Sequence, residues 1–339
     1  VEMDNGNLYL YGKNKQSEYG GNFVRLPFKL ESNKTYAFEI KFTATEAKID
    51  PAQNALFAFV YSNGKRNDGK TITFINSHYG WQKLRSGTET NSGIFRTKDI
   101  NSDNEYLVIK TVDYSQQDII IDYVTVKEVS LKNFSAKSHT FNFDDITEID
   151  ENAGPIQLPC KDPKTGENTL ALKTTALGQG TFVRLPIAVE PFKYYQVSID
   201  YRFDGDAADL GKTYLVLWPS YNTGAGKDGT FLYQNGTKRF ANVFQVDEAQ
   251  ATDKYQRITV NFSVTEEQIK GGQNYVSLAY MHGTDADAVL YIDKITIKEV
   301  DKYDIAVMAN IGSTEWSAPK ANSADYQDWE KWDISDMDK

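Results

Sequence analysis

Apolar and polar residues alternate with a period of two along much of this 339-residue chain. Tyr36-Ala37-Phe38-Glu39-Ile40-Lys41-Phe42-Thr43 sets an apolar face against a polar one, and Tyr195-Gln196-Val197-Ser198-Ile199-Asp200-Tyr201-Arg202-Phe203 does the same. Successive side chains of a strand point to opposite faces, so this alternation predicts half-buried strands. Further strand-like runs cover Leu8 to Tyr11, Leu56 to Tyr61, Thr71 to Ile75, Tyr106 to Thr111, Leu215 to Trp218, Gln256 to Val264 and Tyr275 to Tyr280. Turn formers punctuate them at Asn63-Gly64, Asp68-Gly69, Asn235-Gly236 and Gly271-Gly272. Helical periodicity is confined to one candidate turn near Thr265 to Ile269. The expected fold is all-β, with many short antiparallel strands forming two-sheet sandwiches of jelly-roll type.

The pattern also repeats. Gly21-Asn22-Phe23-Val24-Arg25-Leu26-Pro27 returns 159 residues later as Gly180-Thr181-Phe182-Val183-Arg184-Leu185-Pro186. Tyr61-Ser62-Asn63-Gly64 with Asp68-Gly69 returns 160 residues later as Tyr221-Asn222-Thr223-Gly224 with Asp228-Gly229. Asp118 to Val129 returns 171 residues later as Val289 to Val300, sharing Ile-Asp, Thr-Val/Ile-Lys-Glu-Val. Solenoid repeats run roughly 20 to 50 residues, so this period describes a duplicated whole domain. The expected organisation is two tandem sandwich domains, 1–130 and 139–301, joined by a short linker over 131–138, with an extension or further domain at 302–339. Copy one has no counterpart of the segment His139-Thr140-Phe141-Asn142-Phe143-Asp144-Asp145 that opens copy two, so its first strand is expected to be missing.

A net charge of −10 argues against nucleic acid as a partner, since phosphate binding needs basic patches. No apolar stretch approaches the roughly 18 residues of a membrane span. Cys160 is the single cysteine, which excludes an internal disulfide. A monomer is expected. Aromatics reach 13% of the chain, with 21 tyrosines against 5 tryptophans, which turns attention to aromatic recognition surfaces.

Asn168 to Lys173, Gly180 to Pro186, Tyr195 to Phe203, Tyr255 to Val264 and Tyr291 to Val300 together resemble the β-sandwich carbohydrate-binding modules of families 4, 9 and 22. The resemblance covers most of each copy. It implies non-catalytic binding of a polysaccharide or oligosaccharide by a secreted or cell-surface bacterial protein, attached to a glycan-degrading enzyme. The alternative is a structural or adhesive pair of sandwiches without a sugar site. Modules of that group present a tryptophan on the outward face of the central strand, where this chain holds Lys41 and Asp200.

Strict alternation puts Asp122 with Val124 and Val126, and Asp293 with Ile295 and Ile297, on the core face of the closing strands. A carboxylate there must be paired, hydrogen-bonded or metal-bound. The resemblance implies structural Ca2+ at this place, shared with Asp144 or Asp145 of the opening segment; hard oxygen ligands suit calcium. The candidate sugar contacts are Tyr61, Tyr79 and Trp81 in copy one and Trp218, Tyr221 and Tyr233 in copy two, with Phe95 and Phe240 nearby. An aromatic plane packs against the C–H face of a sugar ring while polar neighbours hydrogen-bond its hydroxyls. Arg25 and Arg184, identical in the two copies, read as structural ion-pair partners. No nucleophile, metal-protease or phosphate-loop motif occurs, so the chain is read as non-enzymatic.

Overall fold

The computed structural model describes residues 2–11, 23–45, 56–66, 72–77, 82–83, 87–97, 106–111, 118–134, 137–152, 156–173, 181–205, 213–218, 230–231, 234–235, 239–240, 254–263, 266, 275–280 and 288–301. Among them the chain is β throughout, apart from one 3-10 turn at Ile146–Glu148. The expected helical turn near Thr265 falls almost wholly outside this set.

In copy one, one sheet runs in the order β1 (Glu2–Asp4), β2 (Asn7–Leu10), β10 (Ile119–Glu128), β4 (Thr35–Ala44), β8 (Gly87–Arg96). The other runs β3 (Phe23–Lys29), β9 (Tyr106–Thr111), β5 (Leu56–Arg66), β6 (Ile72–Ser77), with β7 (Gln82–Lys83) beside β5. The chain crosses between the sheets at β3 to β4, β4 to β5, β8 to β9 and β9 to β10, and β10 returns between β2 and β4: a jelly roll. Copy two repeats this wiring. Its first sheet continues β13 (Ile156–Lys161), β14 (Asn168–Lys173), β23 (Val289–Val300), β16 (Tyr194–Asp204), β21 (Gln256–Ser263), with β11 (Ser138–Phe141) also on β23. Its second runs β12 (Glu151–Asn152), β15 (Thr181–Ala188), β22 (Tyr275–Tyr280), β17 (Thr213–Trp218), β18 (Thr230–Phe231). A separate ribbon pairs β19 (Gln234–Asn235) with β20 (Arg239–Phe240).

Each sandwich closes over alternating residues, as the sequence pattern requires. Phe38, Ile40 and Phe42 of β4 meet Leu107 and Ile109 of β9 in one core. Val197 and Ile199 of β16 meet Val183, Leu185, Val276 and Leu278 in the other. The corner before the central strand is built alike in both. The Tyr36 hydroxyl accepts the Glu31 N–H at 3.0 Å, and the Tyr195 hydroxyl accepts that of Glu190 at 2.9 Å. The Lys34–Glu128 and Lys193–Glu299 ion pairs, each at 2.7 Å, close the same corner, giving the repeated Lys-Glu-Val glutamates a structural task. The repeated Leu-Pro also has a reason. Pairing to β9 and β22 slips between Arg25 and Lys29 and between Arg184 and Ala188, and Pro27 and Pro186 sit inside those irregular stretches. Proline lacks an N–H, so a bulge is where a sheet tolerates it.

The first sheets of the two copies join. Ser92 on the edge of copy one pairs with Ile156 of copy two, making one 11-stranded sheet. Ala37 and Ile94, on the face of copy one turned away from its own core, are buried in the apolar cluster of copy two. Leu131 and Phe134, within the stretch expected to be a linker, pack against that same cluster. Lys173 reaches Glu89 across the junction at 3.7 Å. Residues 1–299 accordingly form one compact unit; residues 300–339 form a second, of which 300 and 301 are described.

Candidate functional site

The second sheet of copy two carries polar and aromatic residues on the face turned away from its core. Val183, Leu185 and Ile187 face the core, so Arg184 points to the opposite side, where it is completely buried. Arg184 pairs across the sheet with Ser277, and Ser277 with Val216; one step along, Tyr275 pairs with Trp218. Directly opposed residues of neighbouring strands share a face. Arg184, Ser277, Tyr275 and Trp218 thus occupy adjacent positions. The Ser277 Oγ is buried without a hydrogen-bond partner in the structure. Copy one repeats the register with Arg25 opposite Val108, and Tyr106 opposite Ser62. Tyr106 and Tyr275 are matched positions that the sequence reading passed over, although both open the corresponding strand.

The same face ends at a groove of about 440 Å3 between the copies. Lys34, Arg96 and Glu128 line it from copy one, and Asp150, Pro186 and Tyr275 from copy two. Asp150 follows the 3-10 turn and is anchored by its backbone N–H, which donates to the Arg184 carbonyl at 2.6 Å. Its carboxylate is 8% exposed, and Oδ2 has no hydrogen-bond partner in the structure. Burial pushes its pKa up to about 6, against the pull of the Arg184 and Arg96 charges. No sequence signal marked Asp150, because its segment has no counterpart in copy one.

The predicted sugar contacts are only partly placed. Tyr61 lies on β5 opposite Leu107, a core residue, and Trp218 ends β17 opposite Tyr275. Tyr79, Trp81, Tyr221 and Tyr233 lie outside the described residues. Phe95 is a core residue, 3% exposed and stacked on Tyr36 at 5.5 Å, so it is not a ligand contact.

The expected orientation of the closing-strand aspartates is corrected. Pairing of β10 with β4 slips between Ile121 and Tyr123, so the core-facing set changes from Ile119 and Ile121 to Val124 and Val126. Asp122 sits at that irregularity, exposed, with Lys41 at 2.6 Å. In β23 the buried set changes likewise, from Leu290 and Ile292 to Ile295 and Ile297, and Asp293 pairs with Lys294 at 3.0 Å. One extra residue reverses the parity of every later side chain. Asp145 caps the 3-10 turn, accepting the Thr147 N–H at 2.6 Å, and its other oxygen meets Lys132 at 2.9 Å. Asp144 is exposed. Asp122, Asp145 and Asp293 each have a lysine partner. Among the described residues no three acidic, histidine or cysteine side chains gather as metal ligands.

On the outer face of its first sheet, copy two holds a further charged cluster. Arg202, fully buried, forks onto Asp162 at 2.7 and 2.6 Å, and Tyr255 donates to Asp162 at 2.9 Å. The Arg202 guanidinium lies 4.5 Å from the Tyr291 ring centroid. Burial alone would raise the Asp162 pKa, but its hydrogen bonds from Arg202, the Lys164 N–H and Tyr255 bring it down to about 2. Every charge here is answered within the protein, which marks a structural brace.

No protein-family model and no curated protein sequence matches the chain. Among solved structures it is similar to the CBM22-1-CBM22-2 tandem domain from Paenibacillus barcinonensis Xyn10C, with 11% identity, 87% of each chain covered and a TM-score of 0.31. A xylan-binding module, CBM15, matches with 15% identity over 44% of this chain and 86% of its own, TM-score 0.26. The ANX2 ectodomain from Arabidopsis thaliana matches with 9% identity over 88% and 89%, TM-score 0.25. β-Sandwich carbohydrate-binding modules are thus among the solved structures similar to this chain. At this level of superposition no residue's role carries over. Among the described residues, no helix is long and apolar enough to cross a membrane.

Proposed function

We propose that the chain binds carbohydrate without catalysing a reaction on it, as tandem modules of a secreted or surface bacterial protein that serves glycan degradation. The observation that carries this reading is the cross-strand pairing of Trp218 with Tyr275. Two aromatic residues in register suit a sugar ring, whose C–H face is apolar. Copy one supplies Tyr106 and Arg25 in the same register, so two sites on one chain gain retention on a polymer through effective concentration. Affinity electrophoresis through gels holding soluble plant or microbial polysaccharides tests it. Trp218→Ala should weaken retention by about 1–3 kcal/mol, the range of a desolvated aromatic anchor. Trp81→Ala should do the same if copy one binds through that residue. If both variants migrate like wild type, the site lies elsewhere. The continuous 11-stranded sheet favours a second reading, a stiff adhesive or structural pair, and that reading takes over if no polysaccharide retards the wild type.

A further inference from the structure

The groove between the copies is built from both of them and holds a carboxylate oxygen with nothing to bond. Asp150 is more than nine-tenths buried, its Oδ2 is without a hydrogen-bond partner, and it lines a cleft of about 440 Å3. That volume falls within the roughly 300–1,000 Å3 of small-molecule clefts. An unsatisfied buried carboxylate is costly to keep, so a fold that retains one leaves an acceptor for a ligand. The surrounding charges narrow the ligand. Arg96 and Arg184 act on Asp150 electrostatically, which disfavours a cationic ligand. Asp150 itself disfavours an anionic one, and Lys34 and Glu128 in the same wall answer each other at 2.7 Å. A neutral molecule rich in hydroxyls remains, with O–H groups to donate to Oδ2 and an apolar face for Tyr275.

We propose that this groove is a saccharide subsite of its own, taking one or two neutral sugar rings against Asp150, Arg96 and Tyr275. It rests on the carbohydrate-binding reading but differs from it in kind. The sheet-face sites belong to one copy each, whereas this subsite exists only where the two copies meet. Short oligosaccharides should therefore still bind there when Trp218, which does not line the groove, is replaced.

The test uses the full chain and a panel of xylobiose, cellobiose, maltose and lactose, followed by saturation-transfer NMR and calorimetry. At least one disaccharide should bind. Asp150→Asn, nearly isosteric, should weaken it about tenfold or more, as expected for losing a hydrogen bond to a charged group. Ser130→Trp, at an exposed position in the groove wall, should abolish it by filling the space while leaving the melting temperature close to wild type. Trp218→Ala should lower retention on polymer more than disaccharide affinity, because the groove shares Tyr275 with the sheet face but is not lined by Trp218. Wild-type disaccharide affinity in both Asp150→Asn and Ser130→Trp overturns the subsite, as does failure of the wild type to bind any member of the panel. If that failure comes with polymer retention sensitive to Trp218→Ala, the carbohydrate reading stands and the subsite falls. If disaccharide binding needs Asp150 while no polymer is retained, the subsite stands and the tandem polymer reading falls.

Discussion

The outer faces of the two central strands can be compared row by row, because β4 pairs with β8 as β16 pairs with β21. Ala37 opposite Ile94 in copy one corresponds to Gln196 opposite Asn261 in copy two. The first pair is apolar and buried in the core of the neighbouring copy; the second is polar and joined by a 3.1 Å hydrogen bond. Two rows further, Lys41 pairs with Asp122, while its counterpart Asp200 takes Arg257 at 2.5 Å and Lys294 at 3.4 Å. The sign of the central charge has switched and its partner has switched with it. At Thr43 and Arg202 the difference is larger: a hydroxyl bonded to Thr88 at 2.7 Å faces a buried guanidinium braced by Asp162 and Tyr255. Cores of the two copies match while the outer faces diverge. The inner face has one task, to fill the sandwich. The outer face answers to whatever covers it, which is copy two for the Ala37 end of copy one and water or a hairpin for copy two.

Exchanging the first row should have the largest effect. Ile94→Asn places an amide where copy two supplies only apolar neighbours and should cost about 3–5 kcal/mol, read from chemical denaturation. The reverse change, Gln196→Ala with Asn261→Ile, removes both hydrogen-bond partners together and should cost less than about 1.5 kcal/mol. Equal costs would mean that the junction does not bury Ile94.

Removing one half of the buried brace comes next. Arg202→Met leaves Asp162 charged and unanswered and should cost about 3–5 kcal/mol, whereas Arg202→Met with Asp162→Leu should recover most of it. The pH dependence has a definite sign. The Asp162 pKa falls from 3.8 to about 2 on folding, so its stabilisation is present above pH 3.8 and is lost as the pH drops toward 2. Wild type should therefore lose stability more steeply than the double variant below pH 4.

Asp150 should behave in the opposite way. Its pKa rises from 3.8 to about 6 on folding, so the folded protein holds the proton more tightly and loses stability as the pH rises between those values. Asp150→Asn should remove that slope and stabilise the protein at pH 7 by on the order of 1–3 kcal/mol. A destabilised Asp150→Asn variant would show that the carboxylate is satisfied after all. The smallest effect belongs to the exposed pair. Lys41→Asp combined with Asp122→Lys should change stability by no more than about 1 kcal/mol, since exposed ion pairs contribute little. Thermal melts at low and high salt would register the difference.

The all-β character and the central strands were legible in the sequence because alternation is local. The corner tyrosines, the Leu-Pro bulges and the Lys-Glu pairs all fall on repeated residues. Reading the closing strands by strict alternation failed at Asp122, because a bulge is a mismatch in count between two strands and one strand's sequence does not contain it, and it failed at Asp293, where the buried set also changes parity. The aromatic search found Trp218 but passed over its partner Tyr275, since cross-strand neighbours are far apart in the chain.

By itself, then, the sequence determined an all-β fold of sandwich type and the residues that fill its core strands, for those rest on periodicity. Tertiary structure decided that the copies share a sheet, that Ala37 and Ile94 are covered, and that Asp150 ends beside Arg96 and Tyr275. These juxtapositions join strands far apart in the chain, such as Ser92 with Ile156 and Arg96 with Tyr275, and no local pattern encodes a meeting of that kind.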